Sequence, residues 1–392
     1  MTYEGNCHLG DLFTSRREKG RQGLPTLSVT INEGVVRRDS LDRKQETSLL
    51  PEEHLLARRN DIAYNMMRMW QGAFGLVNQE GLVSPAYVVL TPKENVDPLY
   101  ASFLFKASRS IYLFWAYSHG LTEDRLRLYF DDFAKIPVLV PNLDAQRAIG
   151  RLFRTWDDAL AKAHALLENS RHQKLALMQL LLTGQKRIGP FIAKRRVAHL
   201  GEFFSERVET GFQNLPLLSI TRDDGVVPRN EISEKDVSSI DKTNYRRICP
   251  GDIGYNTMRM WQGISALSSL EGIISPAYTV VIPNQDINGR FFAHLFKFAP
   301  VVFQFYRYSQ GLVSDTWNLS FKDFAAIRVE IPSLEEQIAI ADVLDTADGV
   351  INAAERLVQR LEQEKRALMQ QLLIITGKHQ VHLLDATAAA AP

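Results

Sequence analysis

The chain lacks most of what marks a catalyst. Its 392 residues hold two cysteines, Cys7 and Cys249, too few for a disulfide framework, and both read as free thiols of a cytoplasmic protein. No His-x-x-x-His or Cys-x-x-Cys pair offers a metal site, and the nine histidines are scattered. Thr183-Gly184-Gln185-Lys186 and Thr376-Gly377-Lys378 lack the upstream glycine and trailing hydroxyl of a phosphate loop. A Gly-x-Ser-x-Gly elbow is missing, as is the Asn/Asp-Pro-Pro-aromatic tetrapeptide of amino-methyltransferases. No apolar run is long enough to span a bilayer, and Met1-Thr2-Tyr3-Glu4-Gly5 is unlike a signal peptide. Nor does charge of one sign dominate: the net is +1, which argues against a generic polyanion binder. The expectation is a non-catalytic cytoplasmic chain with no metal, cofactor or membrane of its own.

What the chain does have, it has twice. Asn65-Met66-Met67-Arg68-Met69-Trp70-Gln71-Gly72 returns as Asn256-Thr257-Met258-Arg259-Met260-Trp261-Gln262-Gly263. The offset is 256 − 65 = 191 residues, and Ser84-Pro85-Ala86-Tyr87 returns at the same offset as Ser275-Pro276-Ala277-Tyr278. A unit of this length is a whole domain, well beyond the repeats of solenoids. Two like domains in one chain imply a pseudo-two-fold axis, which suits a target that is itself two-fold, such as duplex DNA.

Each copy opens with short apolar runs punctuated by Gly, Pro, Asn and Asp, the pattern of an irregular sheet. Val83–Leu90 reads as a strand broken near its start by proline, Phe103–Tyr117 and Phe292–Tyr308 as helices, and 137–141 and 327–332 as closing strands. A helical part follows. Leu160, Leu167, Leu177 and Leu181 in the first copy, and Ile351, Val358, Leu361, Leu368 and Leu372 in the second, lie on a seam spaced alternately by four and three, the signature of a coiled coil. A bend before Asp157 and Asp348 would divide each into a short and a long helix, closed by Gly184 and Gly377. Some 25 residues of long helix, at about 1.5 Å each, make a rod of roughly 38 Å, close to one turn of B-DNA at about 34–36 Å. The fold class expected is α+β: two globules with irregular sheets, joined by two long helices in an antiparallel coiled coil with pseudo-two-fold symmetry. The boundaries read as 1–143 for the first globule and 144–184 for its helix. A basic linker follows at 185–198, then 199–334 for the second globule, 335–377 for its helix, and a disordered tail at 378–392.

The pattern Lys174-Leu175-Ala176-Leu177-Met178-Gln179-Leu180-Leu181-Leu182-Thr183-Gly184, with Lys365-Arg366-Ala367-Leu368-Met369-Gln370 in the second copy, resembles the specificity subunit of type I restriction-modification enzymes. So do the helix entries Pro141-x-Leu143-x-x-Gln146 and Pro332-x-Leu334-x-x-Gln337, although Asp144-Ala145 replaces the more usual Glu335-Glu336. The Met-Arg-Met-Trp-Gln-Gly and Ser-Pro-Ala-Tyr stretches are similar to one subtype of target recognition domain. The resemblance covers nearly the whole chain. It implies that each globule reads one half of a bipartite DNA target and that the helices set the gap. It also implies docking of two adenine-N6 methyltransferase subunits, which would carry S-adenosylmethionine, with restriction and translocase subunits joining them. A duplicated coiled-coil scaffold that binds other proteins satisfies the same periodicities.

Candidate readers follow from comparing the copies. Asn65, Arg68 and Gln71, with Asn256, Arg259 and Gln262, share one short segment; Arg can bond guanine and Asn or Gln adenine through two hydrogen bonds. The loop after the aromatic helix offers Tyr117 and Tyr308 for phosphate. For half-site discrimination it offers His119, Arg125 and Arg127 against Gln310 and Asn318. Arg16, Arg17, Arg37 and Arg38 form a basic stretch that the second copy does not match. The linker adds Lys186, Arg187, Lys194, Arg195 and Arg196 as further candidates for phosphate.

Overall fold

The computed structural model describes residues 3–41, 49–222, 225–232, 241–311 and 316–373. Gly377 and the tail at 378–392 lie outside them. The chain forms two compact units, Met1–His164 with Arg356–Pro392, and Ala165–Glu355. No helix of the described residues is long and apolar enough to cross a membrane.

In the first unit a four-stranded antiparallel sheet runs in the order Phe13–Arg16, Tyr87–Pro92, Ile62–Asn65, Phe74–Leu76. Two-stranded ladders surround it, among them Leu27–Thr30 with Gly34–Arg37 and Leu55–Ala57 with Gly81–Val83. The ladders are short because turn residues interrupt every apolar run. The run at 83–90 is split at Ser84-Pro85, since proline cannot donate to a ladder; Tyr87 N–H returns to Ser84 C=O at 2.9 Å. Behind the sheet, Phe13, Tyr64, Phe105, Phe114 and Phe133 are all buried, with Phe105 and Phe114 packed edge to face at 5.4 Å. The second unit repeats this arrangement with Phe204, Tyr255, Phe296, Phe305 and Phe324.

The aromatic segments differ from the single helices expected. Each is a pair: Pro98–Lys106 and Ser108–Ala116, then Gly289–Leu295 and Ala299–Tyr308. Ala107 and Phe298 adopt extended backbone and begin a second helix. In the second copy Pro300 sits in its first turn, where a missing N–H costs nothing.

The bend expected near Asp157 and Asp348 is absent. Leu143–Leu182 and Leu334–Leu373 are each one unbroken helix of 40 residues, since no Pro or Gly pair interrupts their hydrogen-bond ladders. Every seam residue named above is buried or half-buried. Gly184 adopts φ +75° and returns its N–H to Leu181, ending the first helix as a left-handed cap. Each unit takes helix from both copies. In the first, Lys365 pairs with Asp157 and His164 approaches Glu362; in the second, Lys174 pairs with Asp348 and Arg171 with Glu355. In both, one residue number rises as its partner's falls, the order of antiparallel helices. Leu368, Met369, Leu372 and Leu373 pack on the first core, and Leu177, Met178, Leu181 and Leu182 on the second.

One buried amide locks each helix to its sheet. Gln146 donates from Nε2 to the carbonyls of Pro141 (2.8 Å) and Asn95 (3.2 Å), and its Oε1 accepts from Asp97 N–H at 2.9 Å. Gln337 does the same with Pro332 (3.0 Å) and Asn288 (2.9 Å). Asp97 and Asn288 in turn cap the helices that follow them. The linker arginines are structural too. Arg187 and Arg195 converge on the fully buried Glu336, and Arg195 also donates to the C=O groups of Leu181 and Leu182. Arg196 pairs with Glu202. Of the basic stretch, then, three cations are held by the fold.

Replacing Gln146 with Ala takes the side-chain partner from three part-buried or buried backbone groups, so stability should fall by about 2–4 kcal/mol. The urea midpoint of the first unit's unfolding measures this, and an unchanged midpoint would show the clamp to be dispensable.

Candidate nucleic-acid interface

The strand Ile62–Asn65 ends in a turn that its own last residue builds. Asn65 Oδ1 accepts from Met67 N–H at 3.0 Å, and the chain enters the 3-10 turn Met69–Gln71. Gly72, at φ +88°, reverses it, so that Ala73 N–H reaches Arg68 C=O. Met69 is buried beneath and Trp70 Nε1 donates to Met67 C=O, which fixes the loop from below. Arg68 and Gln71 therefore point outward, and Arg68 has no ion-pair partner among the described residues. The second copy reproduces each feature: Asn256 accepts from Met258 N–H (3.0 Å), Trp261 donates to Met258, Gly263 has φ +77°, and Arg259 is exposed. Asn65 and Asn256 thus spend their carbonyl oxygens on the turn and keep only the amide NH₂. Gln262 is half-buried.

The second candidate loop lies against the first. His119 and Arg127 form a two-way backbone bridge at 2.9 Å, and Leu128 N–H then donates to Met66 C=O. Gln310 and Asn318 form the same bridge, and Leu319 donates to Thr257. The proposed discriminators are thereby brought together in each copy, next to the arginine loop. Arg125 and Arg127 are exposed and unpaired among the described residues. His119 approaches Asp132 at 3.4 Å. Trp317 packs edge-on against Trp261 (5.2 Å) and Tyr306 (4.9 Å), where the first copy has Leu126. Tyr117 and Tyr308 are half-buried, with their rings on the domain cores.

The basic stretch is divided. Arg16 gives two hydrogen bonds to the buried Asp61 (2.8 and 3.1 Å), which holds its pKa above the ordinary arginine value, and also contacts Glu18. Arg207 and Asp252 repeat this brace. Arg16 is therefore committed, and Arg17 beside it is open to solvent. Arg37 pairs with Asp39, and Arg38 reaches Ser28 at the end of a separate hairpin.

Arg16 and Arg17 border a cleft of about 470 Å³ whose walls also include Lys19, Met66, Tyr87 and Tyr129. Lys19 belongs to the same basic run as Arg16 and Arg17, and Tyr87 to the Ser-Pro-Ala-Tyr stretch, but sequence reasoning names neither as a reader and misses Tyr129 altogether. A cue was available for one of them. Tyr129 holds the N-cap position of the helix Phe130–Phe133 and makes no cap bond, whereas Ser320 at the same register caps Phe321–Ala325. Tyrosine there forgoes about 1 kcal/mol of cap stabilisation, a local inconsistency of the kind that marks a working site.

Among the described residues one His/carboxylate group is close enough to hold an ion: His294, Asp345 and Asp348. Its carboxylates already meet cations, Arg290 on Asp345 at 2.8 Å and Lys174 on Asp348 at 2.5 Å. The cluster reads as a polar joint between the helix Gly289–Leu295 and Leu334–Leu373. The first copy fills the place with Phe103, flanked by Lys106 and Lys365. Burial holds the His294 pKa below its ordinary value, despite the hydrogen bond to Asp345. A depressed folded pKa means the unfolded chain takes up the proton first, so stability should fall as pH drops below the ordinary histidine value of about 6.5. His294→Phe should flatten the difference in melting temperature between pH 8 and pH 5; an unaltered difference would place the acid sensitivity elsewhere.

The Type I restriction modification DNA specificity domain family matches residues 251–363, a segment that includes the Arg259 loop and most of the second helix. The 191-residue register carries the same elements to 60–172. The second copy thus carries a match to the type I restriction-modification DNA specificity domain. No curated protein matches it. Among solved structures, the type I restriction-modification system S subunit from M. genitalium is 14% identical and aligns over 96% of this chain and 97% of its own, with a TM-score of 0.58. A structure described as the basis of complex assembly and conformational transition of the type I R-M system gives 14% identity, coverage of 94% and 97%, and a TM-score of 0.53. These likenesses establish the fold shared with this chain. In a specificity domain of this family, an exposed arginine held on a rigid turn suits base or phosphate contact. Arg68→Ala or Arg259→Ala should weaken DNA binding by about 1–3 kcal/mol with melting unchanged; equal affinity in a filter-binding titration would assign both arginines to surface alone.

Proposed function

We propose that this chain is the DNA sequence-specificity subunit of a type I restriction-modification enzyme. Each recognition domain reads one half of a bipartite target, and the paired helices set the gap. The observation that carries this is the family match over the second copy, together with the recurrence of the Arg68 loop as the Arg259 loop on the same fold. The product is an address and not a turnover: the chain itself is not an enzyme.

The helices also dock two adenine-N6 methyltransferase subunits, which bring S-adenosylmethionine, and restriction and translocase subunits complete the assembly in the cytoplasm. Exposed charged side chains along the helices, among them Glu168, Arg171, Arg360 and Glu364, support a polar docking face. Affinity for double-stranded DNA should fall steeply with salt, by a log–log slope of about −0.9 for each phosphate neutralised.

Co-expression with its methyltransferase partner in a methylation-free host, followed by mapping of modified adenines, tests the assignment. A split motif with a fixed gap is expected, its halves related but not identical because the copies differ around a common loop. Soluble, associated proteins that leave adenines unmodified would instead identify a scaffold.

A further inference from the structure

The two domains share the arginine loop and diverge in the cleft beside it. In the first copy the cleft is open, with Ser15 and Leu55 in its lining and Arg17, Lys19 and Tyr129 around them. The side chains of Arg17, Lys19 and Tyr129 have no polar partner among the described residues, and Tyr129 is 44% exposed. At the corresponding positions the second copy has Glu206, Arg246, Val208, Thr210 and Ser320. Glu206 and Arg246 join in an ion pair at 2.5 Å, each side chain about a quarter exposed (25% and 26%). A donor-rich opening in one domain is thus a fixed carboxylate–guanidinium pair in the other. Tyr87 and Tyr278, from the Ser-Pro-Ala-Tyr turns, stand at the same register in both.

The first domain also gives up a helix cap to present Tyr129, which Ser320 retains in the second. A bulky ring at a capping position serves no need of the helix. It does supply an apolar wall with a free hydroxyl beside two cations.

We propose that this cleft is the discriminating pocket of each domain, an inference that rests on the DNA-reading assignment above. Arg17 and Lys19 can only donate, so the first domain selects a base edge of acceptors, guanine N7 and O6, with Tyr129 packing beside it. Glu206 can only accept, and Arg246 holds it in place, so the second domain selects an amino edge such as cytosine N4 at the equivalent position. The two halves of the target therefore differ there while sharing what the Arg68 and Arg259 loops read.

Exchange of the cleft residues tests this in the methyltransferase complex. The variant Ser15→Glu, Arg17→Val, Leu55→Arg, Tyr129→Ser should change the base preference at one or two positions in one half of the methylated motif. The other half and the gap should stay as they were. Tyr129→Ser alone restores a capping residue, so it should melt no lower than the parent while binding cognate DNA at least tenfold more weakly or with a relaxed base preference. A fourfold variant that melts like the parent and methylates the parent's motif at the parent's rate overturns the pocket. So does a fourfold variant that fails to fold, if Tyr129→Ser binds and methylates as before. A parent protein that directs no split motif at all removes the DNA-reading assignment itself, which keeps the two failures apart.

Discussion

The glutamine at the start of each long helix is the contact on which the rest depends. Gln146 and Gln337 each satisfy a carbonyl where a closing strand ends and an N–H where a capped helix begins. One amide thereby ties strand, helix and globule into a single rigid corner. A side chain with both a donor and an acceptor is required; a carboxylate or an ammonium would leave one of the two groups unpaired in a dry site. From this corner the aromatic core stacks outward to the sheet, and the sheet edge carries the arginine loop. The orientation of Arg68 relative to its helix is thus set by a buried hydrogen-bonded amide some 80 residues away in sequence.

Much of this was legible before any coordinates. Repetition at a fixed offset exposed the two domains, because equal sequence implies equal fold whatever that fold is. The seam from Leu160 to Leu181 and its counterpart were readable because helical periodicity is a local signal, and Gly184 because a left-handed cap favours glycine. The break at Ala107 was not readable, since alanine is a strong helix former and only the surrounding packing holds it extended. The uses of arginine were hidden for the same reason. Arg16 looks like any surface cation until Asp61 is brought to it, and Arg187 until Glu336 arrives from 149 residues on. Sequence shows which residues carry charge; the fold decides which charges remain available.

The comparison between the copies separates scaffold from function more sharply than either copy alone. Arg16–Asp61 and Arg207–Asp252 coincide, as do the tryptophan-to-methionine bonds under both loops. Those are the conditions for folding. The copies differ at the cleft, in the loops of His119 and Gln310, and at the polar joint around His294, where the first copy uses an aromatic ring and the second an imidazole. One set of differences faces solvent beside the loops; the other lies where helix meets globule.

Each compact unit is roofed by the tail end of the other copy's helix: Leu368 to Leu373 cover the core of the first domain, Leu177 to Leu182 that of the second. This is the geometry of an exchanged dimer written into one polypeptide. A fragment holding a single copy would expose the apolar patch that its absent partner normally seals, and would be driven to recruit another fragment to close it. The duplicated chain escapes that dependence on concentration, because the second copy is always tethered nearby. It also gains freedom that a pair of identical chains does not have, since each half can change without the other.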